Sequence, residues 1–278
     1  MLDCLIDALL DVAKIAPYLL ATFLILELIE HKLKYKKLFA KKHRLMPVAG
    51  GLLGALPQCG FSAMAANLFS GHIVTIGTVI AIFLATSDEM LPIMIGESVE
   101  ATEIFKIIGF KVAIGIAVGL IVDLIYRKKS STNETPDIGH ICEDEHCHCE
   151  KNGIFLSSLI HTLKTLLLIF AANLLIGLII FWIGEEKVAG ILLNKGLLSY
   201  LIAALVGLIP SCAGSVIITE LYLAGLISFG SLMAGLLTGC GVGWLLLFKN
   251  NKNQRENGMI LAIIFVVSLV AGAIFDLF

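Results

Sequence analysis

The chain has 278 residues, of which 58% are hydrophobic and only 15% charged, with a mean hydropathy of +0.94; soluble domains carry roughly 25% charged residues. Half of the charged residues fall in three short stretches, 31–44, 127–151 and 249–256. The rest is nearly charge-free, which excludes a two-domain soluble enzyme and a nucleic-acid binder with a basic face. The segregation reads as an all-α polytopic membrane protein.

The first residues do not read as a signal peptide. Met1-Leu2-Asp3 lacks a basic start, and Asp3, Asp7 and Asp11 recur at a helical spacing that suits an interfacial turn. Windows long and apolar enough to cross a bilayer follow at 15–30, 73–95, 106–126, 156–184, 227–248 and 259–278. Two further apolar stretches, 45–71 and 197–224, are interrupted by Leu56-Pro57-Gln58-Cys59-Gly60 and by Ile209-Pro210-Ser211-Cys212-Ala213-Gly214. Proline removes a helix hydrogen bond and glycine relaxes the backbone. Each stretch is too short for two crossings and is expected to form a re-entrant pair of half-helices, tolerated only inside protein or beside a water-filled cavity.

The two broken stretches repeat one another. Aligning Gly54 with Gly207 places Pro57 on Pro210, Cys59 on Cys212, Ser62 on Ser215 and Leu68 on Leu221. A one-residue shift then sets Gly71-His72-Ile73 against Gly225-Leu226-Ile227, before Gly77-Thr78 meets Gly230-Ser231 and Ala81 meets Ala234. This is an internal repeat. Positive loops stay cytoplasmic, and Lys32 to Arg44, Arg127 to Lys129 and Lys249 to Arg255 all fall inside if the 45–71 hairpin enters from the cytoplasm. Each half then makes an odd number of crossings, so the second is expected upside down, with about ten helical segments in all and both termini outside. The expected division is a first transmembrane repeat over 1–129, a cytoplasmic loop over 130–153 and a second, inverted repeat over 154–278. Inverted repeats with discontinuous helices are an architecture of secondary transporters.

Leu56-Pro57-Gln58-Cys59-Gly60-Phe61-Ser62-Ala63, Leu84-Ala85-Thr86-Ser87-Asp88-Glu89-Met90-Leu91-Pro92 and Gly207-Leu208-Ile209-Pro210-Ser211-Cys212 resemble the signatures of the ten-helix heavy-metal exporter family. Its members are variously labelled arsenic efflux proteins or manganese transporters. The resemblance covers essentially the whole chain and implies a metal or metalloid exporter without choosing the ion.

Cys59 and Cys212 sit at equivalent hairpin tips, where thiolates suit soft ions such as trivalent arsenic, Zn or Cd; small apolar packing and a mutual disulfide are the competing readings. Ser62 and Ser215 begin the second half-helices, where free N–H groups favour anions or oxygen-rich species, although serine is also a good cap. Gln58 and Ser211 add polarity at the tips. Asn67 and Glu220 each lie eight residues after their Cys and are expected to face inward. Asp88 and Glu89, beside Thr86 and Ser87, are carboxylates about sixteen residues into an apolar span; such groups are functional by default and suit proton coupling or a hard cation. Asn173 reads as a helix–helix hydrogen bond.

The loop segment containing His140, Cys142, His146, Cys147, His148 and Cys149 also carries four acids, a tract able to capture Zn, Ni, Cu or Co. No P-loop, nucleophile elbow or His-Glu-x-x-His string is present, so no enzyme is expected. The reading is a proton-coupled secondary exporter of a heavy-metal ion or arsenical in the cell's inner membrane. It requires no cofactor; its metal is substrate or loop-bound, and its partners are the bilayer and that substrate, not nucleic acid. The alternatives are a manganese exporter using the intramembrane carboxylates and a metal-responsive membrane sensor without translocation.

Overall fold

A computed structural model describes residues 45–55, 59–71, 73–86, 90–127, 197–210, 213–251 and 253–277, with isolated helical positions at 16, 17, 20, 24, 159, 162, 163, 166, 167, 170, 171 and 174. The regular structure among these residues is helical, with no strand. In the first half, α1 (Met46–Gly54), α2 (Cys59–Ser70), α3 (Ile76–Ala85), α4 (Met90–Gly96) and α5 (Ala101–Arg127) follow in order; in the second, α6 (Leu197–Gly207), α7 (Ala213–Leu223), α8 (Phe229–Thr238), α9 (Gly243–Asn250) and α10 (Gln254–Phe275).

The helices begin for the same chemical reason in both halves. Thr75 caps α3 and accepts from the Thr78 N–H; Ser228 caps α8 and accepts from the Ser231 N–H. A carboxylate from the half's last helix completes each cap. Asp123 accepts from the Gly77 N–H at 2.8 Å and from the Thr75 hydroxyl at 2.6 Å. Asp276 accepts from the Gly230 N–H at 2.7 Å and from the Ser228 hydroxyl. Negative charge at a helix N-terminus satisfies orphan donors and complements the macrodipole.

Glycine then brings the backbones together. A Cβ on Gly77 would lie 2.1 Å from the Gly119 carbonyl oxygen, and one on Gly230 would lie 2.2 Å from that of Gly272. Small residues permit this approach between membrane helices, where lipid supplies little drive for association. Consequently α3 and α8 are enclosed beyond their first residues, whereas α5 and α10 expose Phe105, Ile121, Leu124, Val266 and Val270, a surface suited to acyl chains.

The offset between the halves is 153 residues throughout, as in Gly77 to Gly230 and Asp123 to Asp276. It also holds where the sequence match slips by one. Gly71 N–H to Asn67 and Ile73 N–H to Leu68 are matched by Ala224 N–H to Glu220 and Leu226 N–H to Leu221. The turns keep register; only the glycine has moved.

One expectation needs correction. The apolar windows 73–95 and 227–248 read as unbroken spans, yet α3 stops at Ala85 and α8 at Thr238. The Thr86 hydroxyl bonds back to the Ile82 carbonyl while its own ψ turns to 126°. Gly241 takes φ +52°, a left-handed conformation that glycine accepts without Cβ strain. Average hydropathy is insensitive to such a break.

Candidate functional site

The last turns of α1 and α6 each lie against the broken end of their own half's central helix. A Cβ on Gly54 would meet the Ile82 carbonyl oxygen at 2.7 Å, and one on Gly207 would meet the Thr238 Oγ1 at 2.4 Å. The half-helices therefore cluster their free ends around the centre of the bundle. Thr238 returns its hydroxyl to the Ala234 and Gly235 carbonyls at 3.0 and 2.9 Å. The Cys240 thiol, fully buried, donates to the Thr238 carbonyl at 3.1 Å. The Trp244 indole N–H donates to the Leu208 carbonyl at 3.0 Å, tying the second hairpin to α9.

Across the halves, packing is exchanged: α2 lies against α9, and α7 lies against α4. Ser62 is fully buried under α9, where a Cβ on Gly243 would come within 2.7 Å of the Ser62 Cβ. Asn67, also fully buried, accepts from the Asn250 amide at 2.7 Å, while its own Nδ2 has no partner among the described residues. On the other side the Tyr222 hydroxyl donates to Glu103 at 2.5 Å.

At the centre stands a residue that sequence reading passed over. Lys111 of α5 is 1% exposed. Its ammonium donates to the Thr86 carbonyl, at the end of α3, and to the Leu236 carbonyl, in the last turn of α8, at 2.8 Å in the second case. Carbonyls in a last helical turn lack intrahelical N–H partners and carry the negative end of the macrodipole. One ammonium thus ties together the broken central helices of both halves. The available signal was a lysine inside the 106–126 apolar window, since an intramembrane ionisable residue is by default a functional pointer.

Of the expected site residues, Ser62, Asn67, Thr86 and Ser215 are buried, and the Thr86 carbonyl bonds Lys111 directly. Glu220 is not: its side chain is exposed on α7, because desolvating a carboxylate is far costlier than desolvating an amide. The expected inward position thus applies to Asn67 and not to its counterpart. Gln58, Ser211, Cys212, Ser87, Asp88, Glu89, Asn173, the three amino-terminal aspartates and the loop ligands His140, Cys142, His146, Cys147, His148 and Cys149 lie outside the described residues, as does the Cys59 side chain. No cluster of three or more metal-ligating side chains occurs among the described residues.

Among the described residues, four stretches are long and apolar enough to cross a membrane, Ile76–Gly96, Ala101–Tyr126, Phe229–Asn250 and Gln254–Phe275, and two of them are interrupted at the polar centre. These features define a multi-pass membrane transporter. The chain belongs to the family described as "Putative, 10TM heavy-metal exporter", which matches residues 1–185 and 171–278. No curated protein and no solved structure matches it.

Proposed function

We propose that this transporter exports a soft metal ion or metalloid, such as an arsenical, from the cytoplasm across the inner membrane, driven by protons. The observation that carries the reading is the pair of broken central helices, α3 and α8, bridged between halves at Lys111. Substrate binds between the hairpin tips, with Cys59 and Cys212 as soft ligands and Gln58, Ser62, Ser211 and Ser215 completing the lining. Asp88 or Glu89 carries the coupling proton. The halves are inverted, over 1–129 and 154–278, with both termini outside. The 130–153 loop captures metal on the cytoplasmic side through its His and Cys residues.

The coincident offset of caps, glycine contacts and hairpin turns supports two equivalent halves, and the three positive loops support their opposite orientation. Chemistry supports the ligand assignment: thiolates prefer soft ions, carboxylates hard ones.

The test is flux of arsenite, Cd²⁺ and Mn²⁺ in proteoliposomes under an imposed pH gradient. Changing both Cys59 and Cys212 to Ser should cut arsenite or Cd²⁺ flux by about tenfold or more, because soft affinity collapses at nearly constant volume. Asp88→Asn with Glu89→Gln should retain substrate exchange but lose uphill flux. Mn²⁺ flux that survives the Cys changes and stops with the carboxylate changes would assign hard-cation export instead. Metal binding without flux of any probe would identify a sensor.

A further inference from the structure

Lys111 poses a physical question that the fold does not answer. At the 153-residue offset its counterpart is Ile264, which is fully buried in α10 as Lys111 is in α5. Helix α10 packs on α8 through Gly230 and Gly272 in the manner in which α5 packs on α3 through Gly77 and Gly119. The same helix pair is therefore built with an apolar side chain at this position. A buried ammonium is expensive inside a membrane, and the second half packs the same helix pair with Ile264 instead, so its presence calls for a chemical reason.

Its partners supply one. The Thr86 and Leu236 oxygens come from opposite halves and from the interrupted ends of the two enclosed helices. In transporters built from discontinuous helices, unwound carbonyls and half-helix C-termini are where a coupling cation is coordinated. An ammonium, with three donors and one positive charge, meets the same set of oxygens from inside the chain. We propose that Lys111 is a tethered coupling cation: its ammonium holds, between α3 and α8, the place that a free alkali cation would take, and it makes transport independent of Na⁺ and K⁺. The inference rests on the transport reading above and adds to it the charge that joins the two halves.

The experiment uses the full chain in proteoliposomes with arsenite, Cd²⁺ and Mn²⁺ as probes, in Na⁺ buffer and in N-methylglucamine buffer. Wild-type flux should agree within about twofold between the buffers, and Lys111→Arg, which keeps the charge, should retain at least about a third of it. Lys111→Met keeps length and packing but not charge; per folded protein it should lose about tenfold or more in N-methylglucamine. Lys111→Ala should fall similarly, then recover by about threefold or more when Na⁺ or ethylammonium is added, since a small cation can enter the vacated space. If the Ala variant does not fold in N-methylglucamine, recovery of monodisperse protein with either cation is the same readout. Wild-type rates from Lys111→Met would overturn the proposal, as would an Ala variant restored by neither cation or wild-type flux that requires Na⁺. A wild type that moves none of the three probes would sink the export reading instead, which keeps the two failures apart.

Discussion

The two halves of this protein share a frame and differ in what the frame holds. Both cap the central helix with a hydroxyl and a distant carboxylate, and both press glycine on glycine behind it. They part at a few positions. Lys111 stands where the second half has Ile264. The amide pair of buried Asn67 and half-buried Asn250 corresponds to Glu220 and Glu97, both exposed. Gly243 lets α9 settle on Ser62, where α4 offers the buried Met90, and α9 packs more extensively on α2 than α4 does on α7. Backbone proximity and capping thus specify the architecture, and side-chain charge and volume at equivalent positions specialise each half. Two amides can share a hydrogen bond away from water; two carboxylates at the same places remain solvated.

The comparison breaks most sharply at the glycines. Gly77→Ala and Gly230→Ala each force a Cβ against a carbonyl oxygen, at 2.1 and 2.2 Å, and should each destabilise the folded protein by about 3 kcal/mol or more. Thermal unfolding in detergent should show matching losses, and tolerance in one half alone would mean that the frames are not equivalent.

The carboxylate clamps come next. Asp123→Ala strands the Gly77 N–H, leaves the Thr75 hydroxyl only its Thr78 partner, and should cost about 1–3 kcal/mol by the same assay. Asp276 is exposed, so Asp276→Ala should cost less, water replacing the lost acceptor. Equal costs would show that solvent does not reach the second clamp.

The amide pair sharpens the contrast further. Asn250→Leu leaves fully buried Asn67 without its donor and should cost about 1–2 kcal/mol, whereas Asn67→Leu releases the half-buried Asn250 to other partners and should cost less. The double Leu variant should be less destabilised than the sum of the singles, which a double-mutant cycle measures. Smallest of all, Glu220→Gln should change stability by no more than about 0.5 kcal/mol, as expected of an exposed side chain; a larger loss would indicate a buried role.

Hydropathy and charge placement made the helical membrane class legible, and Pro57 with Pro210 marked the breaks between α1 and α2 and between α6 and α7. Those signals are local: apolar runs record the bilayer, and proline disrupts a helix wherever it stands. The breaks after Ala85 and Thr238 escaped the same reading, because each window remains apolar on average and its interruption shows only in the backbone, where Thr86 turns to ψ 126° and Gly239 to ψ 77°. Asp123 and Asp276 gave no signal in the sequence; only the fold carries them to the caps of α3 and α8. Glu220 and Asn67 occupy one register in sequence, but burial separates them.

What the sequence determined alone was therefore whatever depends on neighbours along the chain: the apolar helical class, the helix breaks near Pro57 and Pro210, the repeat offset and the family. Tertiary structure alone decided which polar groups meet. Lys111 reaches Leu236 across 125 positions, and the ammonium's worth comes from two carbonyls that helix termination leaves open and that only the packing of both halves brings to one point.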